Sequence, residues 1–257
     1  MRYFIQFSYF GKPYHGWQKQ PNAITVQQVL DAALSTLLRH PIETLGAGRT
    51  DTGVHAKQMF AHFETEEISE ETNLVYRLNA LLPEAIAVQQ IYEVSDDAHA
   101  RFDAVKRTYE YWVVQSKNPF HSDFAHYVKH PLNIADMNEA AAILLAYEDF
   151  ECFSKSNTDV KTYRCAITKA IWEVKDDKLV FTITADRFLR NMVRAIVGTL
   201  LEVGQGKRTV DDVKRIVNSK DRSEAGPSVP AKGLYLTSVL YPGNILRGPG
   251  KFDIKNG

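Results

Sequence analysis

Two cysteines in 257 residues, Cys152 and Cys165, are too few for a disulfide framework and fit a reducing cytosol. As metal ligands they lack a second close pair, and no histidine falls beside them at zinc spacing. Long apolar runs are missing too. None is long enough to span a bilayer, and Met1-Arg2 runs straight into a β-patterned segment with no secretory leader. The expectation is a cytoplasmic chain with no membrane partner. Net charge is also lacking, because 31 basic residues balance 31 acidic ones. That argues mildly against a nucleic-acid partner, since such domains are often strongly basic. The distribution softens the objection. Residues 1–20 carry Arg2, Lys12 and Lys19 and no acid, whereas 64–71 hold Glu64, Glu66, Glu67, Glu70 and Glu71. A neutral sum can hide a basic face.

What is present is a globular composition, 44% hydrophobic and 24% charged, with enough apolar residues for a sizeable core. Residues 2–9 alternate as a half-buried strand, with Tyr3, Ile5, Phe7 and Tyr9 on one face. A loop over 11–24 interleaves aromatics and cations and reads as exposed. Thr25 and Gln28 form a capping box for a helix whose Val26, Leu30, Ala33, Leu34, Leu37 and Leu38 share a face. Strands are expected at 57–64 and 85–94, with a helix at 73–82 between them. After a charged link at 98–106, the pattern predicts a strand from Lys106, a helix capped by Asn133, and a hairpin turning at Asp176-Asp177. Then come a helix from about Asp186 to Val203, a short helix opened by Thr209 and Asp212, and a last strand at 234–240. The order is β-α-β-α-β, then β-α-β-β-α-β with an extra helix, the second being ferredoxin-like. The expected organisation is a first half at 1–105, a second at 106–245 and a loose tail at 246–257.

The most unusual stretch is Gly46-Ala47-Gly48-Arg49-Thr50-Asp51-Thr52-Gly53-Val54-His55-Ala56. Its glycines permit positive φ and close backbone approach, and they leave Asp51 on a short turn where a scaffold can hold a reactive carboxylate. Phosphate-loop readings fail on spacing. Asp51 occupies the third glycine position of a dinucleotide fingerprint, and Val54-His55 follow where a P-loop needs Lys-Ser/Thr. Read alone, the stretch is equally an ordinary turn with Asp51 as a cap. Three other features bear on chemistry. Arg187, Arg190 and Arg194 fall on one stripe of the expected helix, and Arg194 sits where the basic stripe meets an apolar one. A guanidinium there wants a carboxylate, because an unpaired buried charge is costly. Tyr109 is a sheet-face aromatic able to stack on a base, and Leu234 follows a turn at Pro230-Ala231-Lys232-Gly233. His55, His62, His121, His126 and His130 assemble no catalytic set.

These residues resemble the TruA family of tRNA pseudouridine synthases. Gly48–Ala56 is similar to that family's Gly-Arg-Thr-Asp-x-Gly-Val-His-Ala signature. The likeness continues in Tyr9-Phe10-Gly11, Gly16-Trp17-Gln18, Phe102-Asp103-Ala104, Lys106-Arg107-Thr108-Tyr109, Phe188–Arg194 and Ala231–Leu234, in the family's order. Thr52 in place of a usual Ala, and Arg190-Asn191, are small departures away from catalytic positions. The resemblance implies an α+β fold, two ferredoxin-like or RRM-like halves sharing a central mainly antiparallel sheet with an active-site cleft between them. It implies Asp51 as nucleophile, Arg194 as its ion-pair partner, Tyr109 packing on the target base, and Leu234 as an apolar wall. Arg49 would help displace the base, and Lys12, Lys19, Arg107, Arg187 and Arg190 would contact the RNA. The implied reaction converts uridine to pseudouridine at positions 38, 39 or 40 of the tRNA anticodon stem-loop, by a homodimer needing no cofactor or metal. The residues support this in part on their own terms. Detaching uracil and rejoining it through carbon needs a nucleophile that can later leave, and a base extruded from a stem needs aromatic and apolar walls. Two rival readings are a non-catalytic RNA-binding protein stacking bases on Tyr109 and Trp17, and a metabolic enzyme holding a phosphorylated small molecule on the Gly-rich loop.

Overall fold

The computed structural model describes residues 1–155 and 160–246 and divides the chain into two compact units. One is Met1–Lys106 with the described chain from Leu236 onward; the other is Arg107–Tyr235. The sequence pattern groups 106–245 together, whereas the last strand passes into the first unit after Tyr235. Of the expected tail, Leu246 bridges Val94, and 247–257 lie outside the described residues. So do residues 156–159. Among the described residues no helix is long and apolar enough to cross a membrane.

The first unit runs β1 (Arg2–Tyr9), α1 (Val26–Leu38), β2 (Leu45–Gly46), β3 (His55–Glu64), α2 (Glu71–Leu81) and β4 (Ile86–Val94). β1 lies between β3 and β4, antiparallel to both, with Arg2 opposite Glu64 and Val94. The expected β-α-β-α-β order is therefore found, plus β2, which at two residues is too short to show a period. Alternation in β1 predicts one wet face, yet Phe4 is as buried as Ile5. The returning chain explains this. Tyr241 packs edge-on against Phe4 at 5.1 Å and Phe60 at 5.2 Å, so the second sheet face is roofed by residues distant in sequence. The Thr25 side chain caps α1 by accepting from the Gln28 N–H. Leu30, Ala33 and Leu34 are buried as expected, and so are two polar neighbours, Gln27 and Asp31.

The second unit contains β5 (Lys106–Val114, from Arg107), β6 (His126–Tyr127), α3 (Ile134–Ile143), β7 (Ile167–Lys175), β8 (Lys178–Ala185), α4 (Met192–Gly204), α5 (Val210–Ser219) and the start of β9 (Leu234–Leu240). β8 pairs antiparallel with β5 and β7, and the short β6 runs parallel to β5. Asp176 takes φ 54° in the β7–β8 turn, a conformation Asp tolerates. Asn133 caps α3, and Thr209 with Asp212 closes a capping box on α5. Each unit is thus α+β around mainly antiparallel strands. One expectation needs correction. The helix predicted from Asp186 starts only at Met192, because Asn191 adopts the left-handed φ of 66° and breaks the turn before it. Arg187 and Arg190 therefore precede the helix and share no helical stripe with Arg194.

Candidate active site

In the first unit the Gly-rich stretch links β2 to β3. Asp51 is half-buried and Arg49 is exposed. A turn closes when Val54 N–H donates to the Asp51 carbonyl at 3.1 Å, and Gly53 supplies the positive φ of 77° that this needs. A second loop, 11–17, backs the turn. Trp17 N–H donates to the Thr50 carbonyl at 3.3 Å, and Gly53 N–H donates to the Tyr14 carbonyl at 3.4 Å. Gly11 N–H donates to His55 Nδ1 at 3.0 Å, and the imidazole stacks on Phe10 at 4.7 Å. Two glycines make this closeness possible. A Cβ on Gly11 would lie 1.9 Å from the Val54 carbonyl oxygen, and one on Gly16, at φ 84°, would lie 2.4 Å from that of Thr50. The Tyr9 hydroxyl and Thr50 Oγ1 are 2.8 Å apart, which ties the residue before Asp51 to the end of β1.

The loop reading needs a second correction. Tyr14 and Trp17 are 5% and 3% exposed, so they pack as core and offer no ring for stacking on a base. The Trp17 ring instead lies against Gly46, where a Cβ would meet Nε1 at 2.5 Å. Lys12 is exposed. The Lys19 ammonium lies 2.6 Å from Asp31 Oδ2 as an ion pair. Burial pushes the Asp31 carboxyl above its usual range, and Lys19 and Thr44 pull the other way. The pattern had hidden this residue, although an acid bordering an apolar helical stripe is itself a signal.

In the second unit Tyr109, on β5 opposite Ile183, is half-exposed and meets Phe188 edge-on at 5.1 Å. Phe188 is thus a second aromatic beside the expected one. Tyr111, two residues on, is fully buried and donates to the Pro230 carbonyl at 2.8 Å. Its hydroxyl is raised by burial, and the nearby Arg194 charge opposes that rise. Arg194 sits in the first turn of α4. Its Nε donates to the Val229 carbonyl at 2.7 Å, while Val229 N–H donates to the Arg194 carbonyl at 3.2 Å. The segment that leads to Leu234 therefore grips both ends of this arginine. Leu234 is buried, and Gly233 before it touches the Tyr111 ring, where a Cβ would meet Cζ at 2.8 Å. Arg107 Nη1 donates to the Asp186 carbonyl at 2.7 Å, and Arg187 N–H donates to Asp186 Oδ1 at 2.7 Å. Arg190 is exposed. Tyr109, Arg194 and Leu234 are thereby placed in one unit on elements that share hydrogen bonds or ring contacts through Tyr111 and residues 229–233. Among the described residues no three His, Cys, Asp or Glu side chains converge as metal ligands would.

Comparison with known proteins identifies the family. The family described as tRNA pseudouridine synthase matches residues 5–103 and 140–242. Proteins called tRNA pseudouridine synthase A are similar over nearly the whole chain. That of Parabacteroides distasonis is 52% identical over 94% of this chain and 96% of its own. That of Bacteroides thetaiotaomicron is 52% identical, covering 95% and 92%, and that of Bacteroides fragilis is 52% identical, covering 95% and 98%.

Proposed function

We propose that this chain, which belongs to the tRNA pseudouridine synthase family, uses Asp51 as its nucleophile. Membership makes it an isomerase that converts uridine to pseudouridine in tRNA. The observation that carries the proposal is the setting of Asp51. It is a half-buried carboxylate at a tight turn, braced by a second loop through contacts that only glycine allows. A group that must meet one atom of a base gains from such fixed placement.

The reaction gains and loses no atoms overall. An Asp51 oxygen adds to the nucleotide at ribose C1′ or base C6. The N1–C1′ bond breaks, the base turns, and a C5–C1′ bond forms. The carboxylate departs as that bond forms in the C1′ route, or after it in the C6 route; the C5 proton leaves and N1 ends protonated. In this reading Arg194 is the ion-pair partner of Asp51. Tyr109 packs on the extruded base with Leu234 as the apolar wall. Arg49 takes the place the base vacates, and Lys12, Arg107, Arg187 and Arg190 hold phosphates. The targets are uridines 38, 39 and 40 of the anticodon stem-loop, read by a homodimer in the cytoplasm without metal or cofactor.

The test uses tRNA transcript carrying uridine tritiated at C5. Asp51→Ala and Asp51→Asn proteins should release no tritium while binding tRNA as tightly as the parent. Full turnover by Asp51→Ala would remove Asp51 from the chemistry.

A further inference from the structure

Behind the Asp51 loop lies a polar cluster that the reaction does not use. Gln27 and Asp31 stand four residues apart on α1, so they share a face of that helix, and both are at least 95% buried. Two other segments converge on them. From the loop side, Lys19 N–H donates to Gln27 Oε1 at 2.9 Å, Gln27 N–H donates to the Trp17 carbonyl at 3.0 Å, and the Lys19 ammonium meets Asp31. From the β2 side, Thr44 gives its N–H to Asp31 Oδ1 at 3.0 Å and its hydroxyl to the same atom at 2.6 Å. The Thr44 carbonyl accepts from Gln27 Nε2 at 2.6 Å. Thr44 is two residues from Gly46, which bears the Trp17 ring, and Trp17 in turn donates to Thr50 beside Asp51.

We propose that Lys19, Gln27 and Asp31 are positioning residues for Asp51, clamping the bracing loop and the β2 entry of the Gly-rich turn to one rigid helix. The idea rests on Asp51 being the nucleophile. It assigns Lys19 to Asp31 and removes it from the set of phosphate contacts. A buried carboxylate costs free energy unless it is paired and hydrogen-bonded, and here it has both, so the arrangement spends an ion pair on geometry. The clamp grips the two ends of the apparatus and touches no substrate. Its loss should therefore misplace Asp51 and lower kcat, leaving tRNA affinity alone.

Three variants test this beside Asp51→Ala. Lys19→Met should lower kcat by roughly 10- to 100-fold, the scale set by a misplacement of about 1 Å. Its tRNA Kd and the salt dependence of binding should stay unchanged. Lys19→Arg should restore most of kcat. The double variant Lys19→Met with Asp31→Asn, which has no unpaired buried charge, should be no worse than Lys19→Met, because both changes break one unit. It also keeps the test running if Lys19→Met alone unfolds. Weaker tRNA binding with a flatter salt slope and normal kcat would make Lys19 a phosphate contact and overturn the proposal. Unchanged kinetics in the double variant would overturn it as well. If Asp51→Ala is inactive while the Lys19 variants keep full kcat, the clamp alone falls. If Asp51→Ala turns over, the nucleophile assignment falls whatever the clamp does.

Discussion

The two units hold their proposed reactive side chains by opposite means. Asp51 hangs on a turn with little regular structure of its own, and it is fixed by backbone contacts to a second loop. Tyr109, Arg194 and Leu234 sit in a strand, in a helical first turn and at a strand start, so regular elements set their backbones, and the 229–233 segment also grips Arg194. The difference separates two costs. Placing a side chain on a loop demands residues without a Cβ at each close approach. Placing one on a helix demands only that the helix begin in the right place.

The sharpest way to break this contrast is to add single methyl groups to the first unit. Gly11→Ala forces a carbon to 1.9 Å from the Val54 carbonyl oxygen, inside both loops at once. We expect a loss of about 3 kcal/mol of stability, the upper range for overpacking, together with loss of activity. Gly48 opens the stretch that carries Asp51, but nothing lies within 4 Å of a Cβ built there. Gly48→Ala should change stability by no more than about 0.5 kcal/mol. Thermal unfolding of the two variants checks both. Equal melting temperatures would mean that the loops are not braced as described.

A pH titration sharpens the comparison at the other end of β3. His62 is 4% exposed and accepts from Ala100 N–H at 3.1 Å. Burial chiefly, with His99 and Arg2 adding positive charge, pushes its imidazole down to about 4, while Glu64 and Asp103 act weakly the other way. The unfolded chain binds a proton there near pH 6.5 and the folded one does not. Stability is therefore full above about pH 6.5 and falls as the pH drops toward 4, by up to about 3 kcal/mol. In the second unit His126 is lowered by burial and by Lys232, in the same direction. Denaturant unfolding at pH 7 and at pH 4.5 should show the loss, and His62→Gln should remove most of it. An equal slope in that variant would place the titrating groups elsewhere.

The fold was legible in the sequence wherever a run was long enough to show its period. β1, α1, α3, the β7–β8 hairpin and β9 lie where alternation, caps and turn residues put them. The Gly-rich turn was legible for another reason, since glycine density is visible without knowing what approaches. The approaching groups were not legible. Val54 meets Gly11 and Thr50 meets Gly16 across more than thirty residues, so nothing local announces them. The same holds for Tyr241 over Phe4, which buries one position of a face that Gln6 and Ser8 leave half-wet. Trp17 and Tyr14 looked like exposed rings because a loop's polarity is only an average. Asp31 was passed over because its partners, Lys19 and Thr44, come from both sides of the helix.

The misplaced start of α4 supports the smallest prediction, and it bears on the second unit alone. Residues 186–191 carry helix-compatible side chains, and no proline or glycine interrupts them. The break is a backbone choice at Asn191, whose φ of 66° costs most residues roughly 1–2 kcal/mol but is mild for Asn and free for Gly. Its side chain also donates to Ser228 Oγ, next to the Val229 that grips Arg194. Asn191→Val should therefore cost about 2 kcal/mol and favour carrying the helix back toward Arg190, rotating Arg194 away from Val229. Asn191→Gly keeps the left-handed turn and loses only the hydrogen bond, about 1 kcal/mol or less. If helix position governs this unit as glycine contact governs the first, Asn191→Val should lose catalytic rate and Asn191→Gly should retain most of it. Comparing the two kcat values beside their melting temperatures decides the point. Equal activity in both would mean that Arg194 is held by the 229–233 segment whatever the helix start does.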